Sequence, residues 1–350
     1  MIRFSRCEDI RIHIHNLCFL GFGNVNRTLM QLLLEREQEL RVRHGIAFRI
    51  TGIASRRLGW IADHTGLDPR AYVAGALSPA GGLDSTNVRT WLSVARADIL
   101  FEATSLNVEN GQPAVDHIRA ALNHGAHAIT ANKGPIVHAY RELGDLAAAR
   151  GKRFLFESTV MDGVPIFSFF DQLPVIHLQS FHGILNSTTN VILSEMENGL
   201  SFDESLKRAQ ALGIAETDAT QDIDGWDAAV KTAALITVLM DVPVRLQEIN
   251  REGIRNLSGE AVRAARKDGR PYKLICRAQQ PGKKTEKGTT ASVRPEQIPL
   301  TDPMAQITGP SSYVYFETDI FPGLAITEQN PSLYATAYGM LADFVRAVTQ

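Results

Sequence analysis

The sequence predicts an α/β protein in which a doubly wound parallel sheet is followed by a second, α+β domain. Three observations carry that expectation. From Asn16 to about residue 156, short apolar runs alternate with amphipathic segments. After Glu157 the rhythm changes. The 350 residues, 44% of them hydrophobic, are also too many for one ordinary core.

In the first region the expected strands are Leu17–Gly21, Phe48–Ala54, Ile99–Ala103, Ala128–Thr130 and Phe154–Phe156. They are short and apolar, as strands covered on both faces are. Between them Val25–Arg43, Ala114–His124 and Ala139–Arg150 repeat apolar residues at three- and four-residue intervals, the spacing of a half-buried helix. Beyond Glu157 the pattern predicts a helix at Val164–Gln172, a long strand at Val175–Leu185, and helices near Thr188–Glu197, Asp203–Leu212 and Gly225–Met240. The stretch Gln279–Thr290, QQPGKKTEKGTT, reads as an exposed hairpin tip or loop with solvated lysines. Leu333–Val348 is amphipathic and expected to pack back on the first domain. The expected division is 1–156 for nucleotide binding, 157–332 for catalysis, and 333–350 returning to the first.

Composition narrows the partners. With 36 Lys+Arg against 38 Asp+Glu, no global field draws the chain to nucleic acid or an anionic membrane, so a small molecule is expected. Cys7, Cys18 and Cys276 lie far apart without a CxxC pair, which fits a reducing cytoplasm and gives no zinc motif. The N-terminal MIRFSRCEDIRIHIHN alternates charged and apolar residues and lacks the features of a signal peptide. The most apolar later stretch, Ala233–Met240, is far shorter than the ~20 residues of a membrane span.

The first expected strand ends in GFGNVN. Gly21 suits a tight turn, and Gly23 lets the backbone approach a pyrophosphate at the start of the next helix, where the N–H groups of Asn24 and Val25 point outward. The third fingerprint position is Asn26 rather than glycine or alanine, which implies a displaced helix or a side chain that meets the ligand. The domain is thus Rossmann-type. At the end of the second strand, Ser55, Arg56 and Arg57 stand where a ribose-binding acid would be, and no carboxylate follows until Asp63, so NADP is favoured over NAD. Two further strand ends, EATSLN and TANKGP, bring Thr104, Ser105, Asn132 and Lys133 to the same edge. Ser, Thr and Asn there also suit capped helix starts. Lys133, beside a Gly-Pro turn, has no capping role.

The most informative stretch is AQALGIAETDATQDIDGWDAAVKTAAL, Ala209 to Leu235. Asp227 and Lys231 are four residues apart on one helix face. A surface pair at that spacing contributes only ~0.3–0.5 kcal/mol. Here the lysine is ringed by Ala228, Ala229, Val230, Ala233, Ala234, Leu235 and Ile236, so the helix is read as largely buried. A buried lysine is either paired or lowered in pKa, and either state serves proton transfer to an alcohol or carbonyl oxygen. Glu216 and Asp222, on the irregular segment before that helix, are acceptor-only anions suited to a substrate ammonium. Lys133 is the cation for a substrate carboxylate. The acidic cluster has no EF-hand spacing, and the lysine competes for its anions, so a divalent metal is not expected there.

GFGN, TANKGP, GILNSTTNVIL and GxAExDxxxDxxGxDxxxK, in that order, resemble the homoserine dehydrogenase family over nearly the whole chain. The resemblance implies reversible NAD(P)-dependent reduction of L-aspartate 4-semialdehyde to L-homoserine, towards threonine and methionine. It casts Lys231 as proton donor, Asp227 as its partner, Glu216 and Asp222 as homoserine-binding acids, and Lys133 as the lysine at nicotinamide and substrate. FESTVMDGVPIF is similar to the family's monovalent-cation segment, making Glu157, Val160, Asp162 and Val164 a candidate sodium site, with Asp162 in place of a small residue. A homodimer through the second domain, around the strand before Asn186, is also implied. The sequence departs from the family at TEQNPSLYATA, Thr327–Ala337, where many members carry a glycine-rich run, and at Ser187, where many have glycine. Because the chain ends at Gln350 directly after the last helix, feedback by threonine is not expected. The residues alone leave open a dehydrogenase for another small amino or hydroxy acid, or a non-catalytic nucleotide sensor on the same fold.

Overall fold

The computed structural model describes residues 13–75, 87–281 and 288–349; the expectations for the N-terminal segment through residue 12, and for the tip of the 279–290 stretch, lie outside the described residues. The chain divides into two units, Met1–Ser158 with Leu333–Gln350, and Thr159–Ser332.

In the first unit the expected alternation is present: β1 (Ile14–Leu20), α1 (Asn24–His44), β2 (Ala47–Ser55), β3 (Gly59–Ala62), α2 (Pro69–Val73), α3 (Val88–Ala95), β4 (Ile99–Glu102), α4 (Ala114–His124), β5 (His127–Thr130), α5 (Gly134–Ala149) and β6 (Phe154–Leu155). The sheet order is β3-β2-β1-β4-β5-β6, with β1 parallel to both β2 and β4. Strand order therefore reverses between β1 and β4, and their carboxyl ends open the crevice where such sheets bind ligands. Leu17, Phe19, Ile53, Ile99 and Phe101 fill the core beneath.

Three short elements were not foreseen. The edge strand β3 returns antiparallel along β2, with Ser55 opposite Gly59. Helix α2 is only five residues long. Helix α3 is anchored by Trp91, fully buried, whose indole N–H donates to the Ile61 carbonyl at 2.8 Å. Helix α5 starts five residues before the expected Ala139. Pro135 occupies its first turn, where a missing N–H costs nothing, and a kink at Ala139 (φ −146°) marks the expected start. The Gly-Pro read as a turn beside Lys133 is that first helical turn.

The second unit contains α6 (Ile166–Asp171), β7 (Leu178–Ile184), α7 (Ser187–Glu197), α8 (Phe202–Ala211), α9 (Thr220–Ile223), α10 (Trp226–Leu239), β8 (Asn250–Arg251), α11 (Gly259–Lys267), β9 (Tyr272–Gln279), β10 (Thr290–Gln297), β11 (Ser312–Thr318) and β12 (Leu324–Glu328). Its sheet has the order β12-β11-β7-β9-β10-β8, with β7 antiparallel to both β9 and β11. Strand β7 begins three residues later than expected, because Val175 is exposed and holds φ +62°, a turn conformation that a β-branched residue rarely adopts. The Gln279–Thr290 stretch does join two antiparallel strands, β9 and β10. Helices α7, α10 and α11 pack on this sheet. Elsewhere on it, Ser180, His182, Arg277 and Arg294 line a polar concavity of about 650 Å³. The last helix, α12 (Leu333–Thr349), belongs to the first unit and packs on α1. Among the described residues no helix is long and apolar enough to cross a membrane.

Candidate active site

Helix α10 is preceded by Gly225, whose φ of +79° permits the sharp entry from α9. Residues 228–230 and 232–237 are buried, so the circumference around Lys231 is apolar as the sequence required. The Lys231 ammonium sits 3.0 Å from Asp227 Oδ2, with the two side chains 17% and 19% exposed. It also donates to the Leu185 carbonyl at 2.8 Å, at the end of β7. The next residue, Asn186, caps α7 by accepting from the Thr189 N–H at 2.9 Å. Its amide nitrogen donates to Asp222 Oδ1 at 2.6 Å and Asp227 Oδ2 at 3.0 Å. One strand-to-helix junction thus offers a carbonyl to the lysine and an amide to both acids.

The electrostatics follow from this geometry. Burial alone would lower the Lys231 pKa, but the carboxylates of Asp227, Asp162 and Asp222 outweigh it and the net shift is upward. Of the two states left open by the sequence, the paired and charged one is present. Burial, followed by the Asp227 charge, pushes the Asp222 carboxyl up, against the Asn186 hydrogen bond and the Lys231 charge. Asp222 lies on α9 rather than on irregular chain. Glu216 is exposed and stands outside this hydrogen-bonded set; only its carbonyl is held, by Gln210 at 3.2 Å.

In the first unit, Gly21 holds φ +79°, and a Cβ there would fall 2.5 Å from the Ala103 carbonyl oxygen. Its lack of side chain is therefore demanded by the sheet. A Cβ on Gly23 would meet nothing within 4 Å. That open space, beside the uncapped start of α1 with no acid in its first turn, fits an incoming pyrophosphate. Asn24 and Val25 are the first residues of that helix. The Asn26 side chain is turned into the protein, with its Oδ1 buried and without a hydrogen-bond partner. It is fully buried, and its amide donates to the carbonyls of Leu20 at 3.0 Å and Gly21 at 3.2 Å, so it locks the turn from within.

The two other strand ends are tied together. Buried Glu102 accepts from the Thr104 N–H at 2.9 Å, from the Thr104 hydroxyl, and from Thr130 Oγ1 at 2.6 Å. Burial raises its pKa against those bonds. Asn132 accepts from the Gly134 N–H at 2.9 Å and donates to the Thr104 carbonyl at 3.1 Å. Thr104 and Ser105 cap no helix, since α4 starts at Ala114. Thr104 is largely occupied with Glu102, while Lys133 sits at the N-cap of α5. Ser55 Oγ accepts from the Leu58 N–H at 3.1 Å, leaving Arg56 and Arg57 exposed at the β2–β3 hairpin tip.

Of the candidate sodium residues, Glu157 belongs to the first unit and Val160, Asp162 and Val164 to the second. Glu157 is buried and faces the Arg346 guanidinium at 3.4 Å, and Arg346 also meets Asp343 at 3.3 Å. A fixed internal cation therefore already answers the Glu157 charge. Burial, followed by the Glu157 charge, pushes the Asp343 carboxyl up to about 7. In the second unit Val160 is buried and the Val164 carbonyl accepts from the Ile166 N–H at 2.8 Å. Asp162 holds φ +44°, which explains why a small residue is at home in that position.

Two family models match, "Homoserine dehydrogenase" over residues 165–345 and "Homoserine dehydrogenase, NAD binding domain" over residues 21–157. The chain belongs to the homoserine dehydrogenase family. It is 34% identical to an NAD(+)-dependent homoserine dehydrogenase of Pseudomonas canavaninivorans, over 95% of each chain. A crystal structure of a homoserine dehydrogenase from Thiobacillus denitrificans is similar at 30% identity and a TM-score of 0.80, covering 96% of this chain and 73% of that one. A hyperthermophilic archaeal homoserine dehydrogenase mutant in complex with NADPH is similar at 25% identity and a TM-score of 0.79, covering 96% and 98%. This homoserine dehydrogenase is an oxidoreductase with a Rossmann-type NAD-binding domain and a catalytic domain.

The homoserine dehydrogenase site contains residues that sequence reasoning passed over. Asn186 lies in GILNSTTNVIL, and its position just before a helix signalled a cap but not its grip on two acids. Glu328 ends β12 inside the TEQNPSLYATA departure. Its Oε2 is buried without a hydrogen-bond partner, and burial together with the Asp162 charge pushes it up to about 7.

Proposed function

We propose that Lys231 is the proton donor in the reduction of L-aspartate 4-semialdehyde and the acceptor in the oxidation of L-homoserine. The observation that carries this reading is the Lys231 ammonium held between Asp227 at 3.0 Å and the Leu185 carbonyl at 2.8 Å, with its pKa raised. The bound nicotinamide supplies the hydride for reduction and takes it back in oxidation. As the carbonyl oxygen gains negative charge, the ammonium gives it a proton; Asp227 keeps the lysine oriented, and its charge favours reprotonation of the amine from solvent. Asp222 and Glu216 hold the substrate ammonium, and Lys133 takes the substrate carboxylate beside the nicotinamide. Asn186 positions the two carboxylates and contributes no proton.

NADP is the preferred cofactor in this reading. Arg56 and Arg57 are exposed at the hairpin tip, and Asp63 Oδ1 is engaged by its own turn, accepting from the Thr65 N–H at 2.8 Å. Gly21, Gly23, Asn24 and Val25 line the pyrophosphate approach, with Thr104 and Ser105 near the nicotinamide. The NAD(+)-dependent relative and the NADPH-bound one pull in opposite directions, and the two arginines are what supports NADP here. No step is assigned to sodium, because Arg346 meets Glu157. The enzyme is proposed to be a homodimer through the sheet face around Ser180, His182 and Arg277. The test is absorbance at the nicotinamide band with NADPH and NADH in parallel, using aspartate semialdehyde and comparing the parent with Lys231→Ala. A variant as active as the parent would sink the assignment.

A further inference from the structure

The edge of the first unit's sheet opposite the nucleotide crevice carries an unassigned group of side chains. His13 and His15 flank Ile14 at the start of β1, two residues apart on extended chain, so their imidazoles project to the same side. Asp98 immediately precedes β4, the parallel neighbour of β1. One ligand atom from each of His13, His15 and Asp98 lies within 4.8 Å of the others, the one such group among the described residues. The geometry points to a binding site for a single divalent transition ion at this edge, ligated by His13, His15 and Asp98.

The surroundings prepare these groups. Asp98 Oδ2 accepts from the Asn16 N–H at 2.8 Å, fixing the carboxylate and leaving Oδ1 as a ligand. The His15 ring is held edge-on to Phe344, centroids 5.9 Å apart. His13 is exposed, with its ring 4.7 Å from that of His15. Bonds of ~2.0–2.2 Å in a tetrahedron put ligands roughly 3.4 Å apart, so binding draws together three ligand atoms that now lie within 4.8 Å of one another. Two imidazoles and one carboxylate select zinc, nickel, cobalt or copper over calcium and magnesium, which need all-oxygen cages. Three protein ligands leave the fourth tetrahedral position to water. Bound there, the ion staples the start of β1 to the start of β4.

The test uses untagged, metal-stripped protein titrated with cobalt(II) and followed by visible absorption, alongside melting temperature with added zinc. Expected are one saturable equivalent and a melting rise of roughly 5–10 °C at about a hundredfold excess over Kd. His13→Ala, at an exposed position, and Asp98→Asn, which keeps an acceptor for Asn16, should each weaken binding at least about tenfold without changing kcat. No saturable equivalent, or one that survives His13→Ala at parental affinity, would overturn the site.

Discussion

Replacing Lys231 by methionine removes a charge while nearly conserving volume, so the effect isolates electrostatics from cavity formation. At 3.0 Å the attraction to Asp227 is about 5 kcal/mol in an effective dielectric of ~20. Both side chains are nearly a fifth exposed, so the lower end of the ~3–5 kcal/mol cost of breaking a buried pair applies, about 3 kcal/mol. In a unit of this size that corresponds to roughly 6–12 °C in melting temperature. Loss of the proton donor should lower kcat by ~10²–10⁴-fold. The decisive arm is the double variant Lys231→Met with Asp227→Asn, which removes both charges. It should recover most of the melting temperature and none of the activity, because stability suffers from an unpaired acid whereas chemistry suffers from the missing donor. Calorimetry and the nicotinamide absorbance assay read the two quantities separately. A single variant keeping more than about a tenth of kcat, or a double variant regaining activity with stability, would refute the reasoning.

Three further outcomes follow from the first unit. Gly23→Ala should leave the unfolding free energy within ~0.5 kcal/mol of the parent while raising the KM for the nicotinamide, whereas Gly21→Ala, with φ +79° and a carbonyl 2.5 Å from the new methyl, should destabilise the fold itself; cofactor fluorescence titration and thermal unfolding separate them. Arg56→Ala and Arg57→Ala should weaken NADPH by roughly tenfold or more at unchanged NADH affinity, as loss of a charged hydrogen bond of ~1.5–3 kcal/mol requires; equal losses with both cofactors would count against a 2′-phosphate contact. Asp343, raised from 3.8 to about 7, keeps its proton longer folded than unfolded, so its contribution is present below about pH 4 and is lost as pH rises towards 7; melting curves of Asp343→Asn should lack that decline.

The legible parts of the molecule were those encoded locally. An apolar run, two glycines and a helix start lie within ten residues at Leu17–Val25, and Asp227 with Lys231 lies within one helical turn. The α10 burial was readable because alanines and aliphatics surround the lysine on every side. Long-range partnerships were not readable. Asn186 reaches Asp222 and Asp227 across 36 and 41 residues, and Arg346 reaches Glu157 across 189. The sheet of the second unit was mostly missed, since β9 contains the buried Lys273, which donates to the Ile307 carbonyl at 2.6 Å, and β10 contains Pro295; both interrupt an apolar pattern. Such exceptions are tolerated only because partners distant in sequence satisfy them.

Asn26 bears on how binding energy is distributed. A glycine in its place would let the helix settle against the strand but would leave the Leu20 and Gly21 carbonyls without that donor. With the amide present, two side-chain hydrogen bonds hold the glycine turn without any contribution from a nucleotide. Little ordering entropy is then charged to association at that end, and more of the contact energy remains for aligning the reactive ring with the substrate.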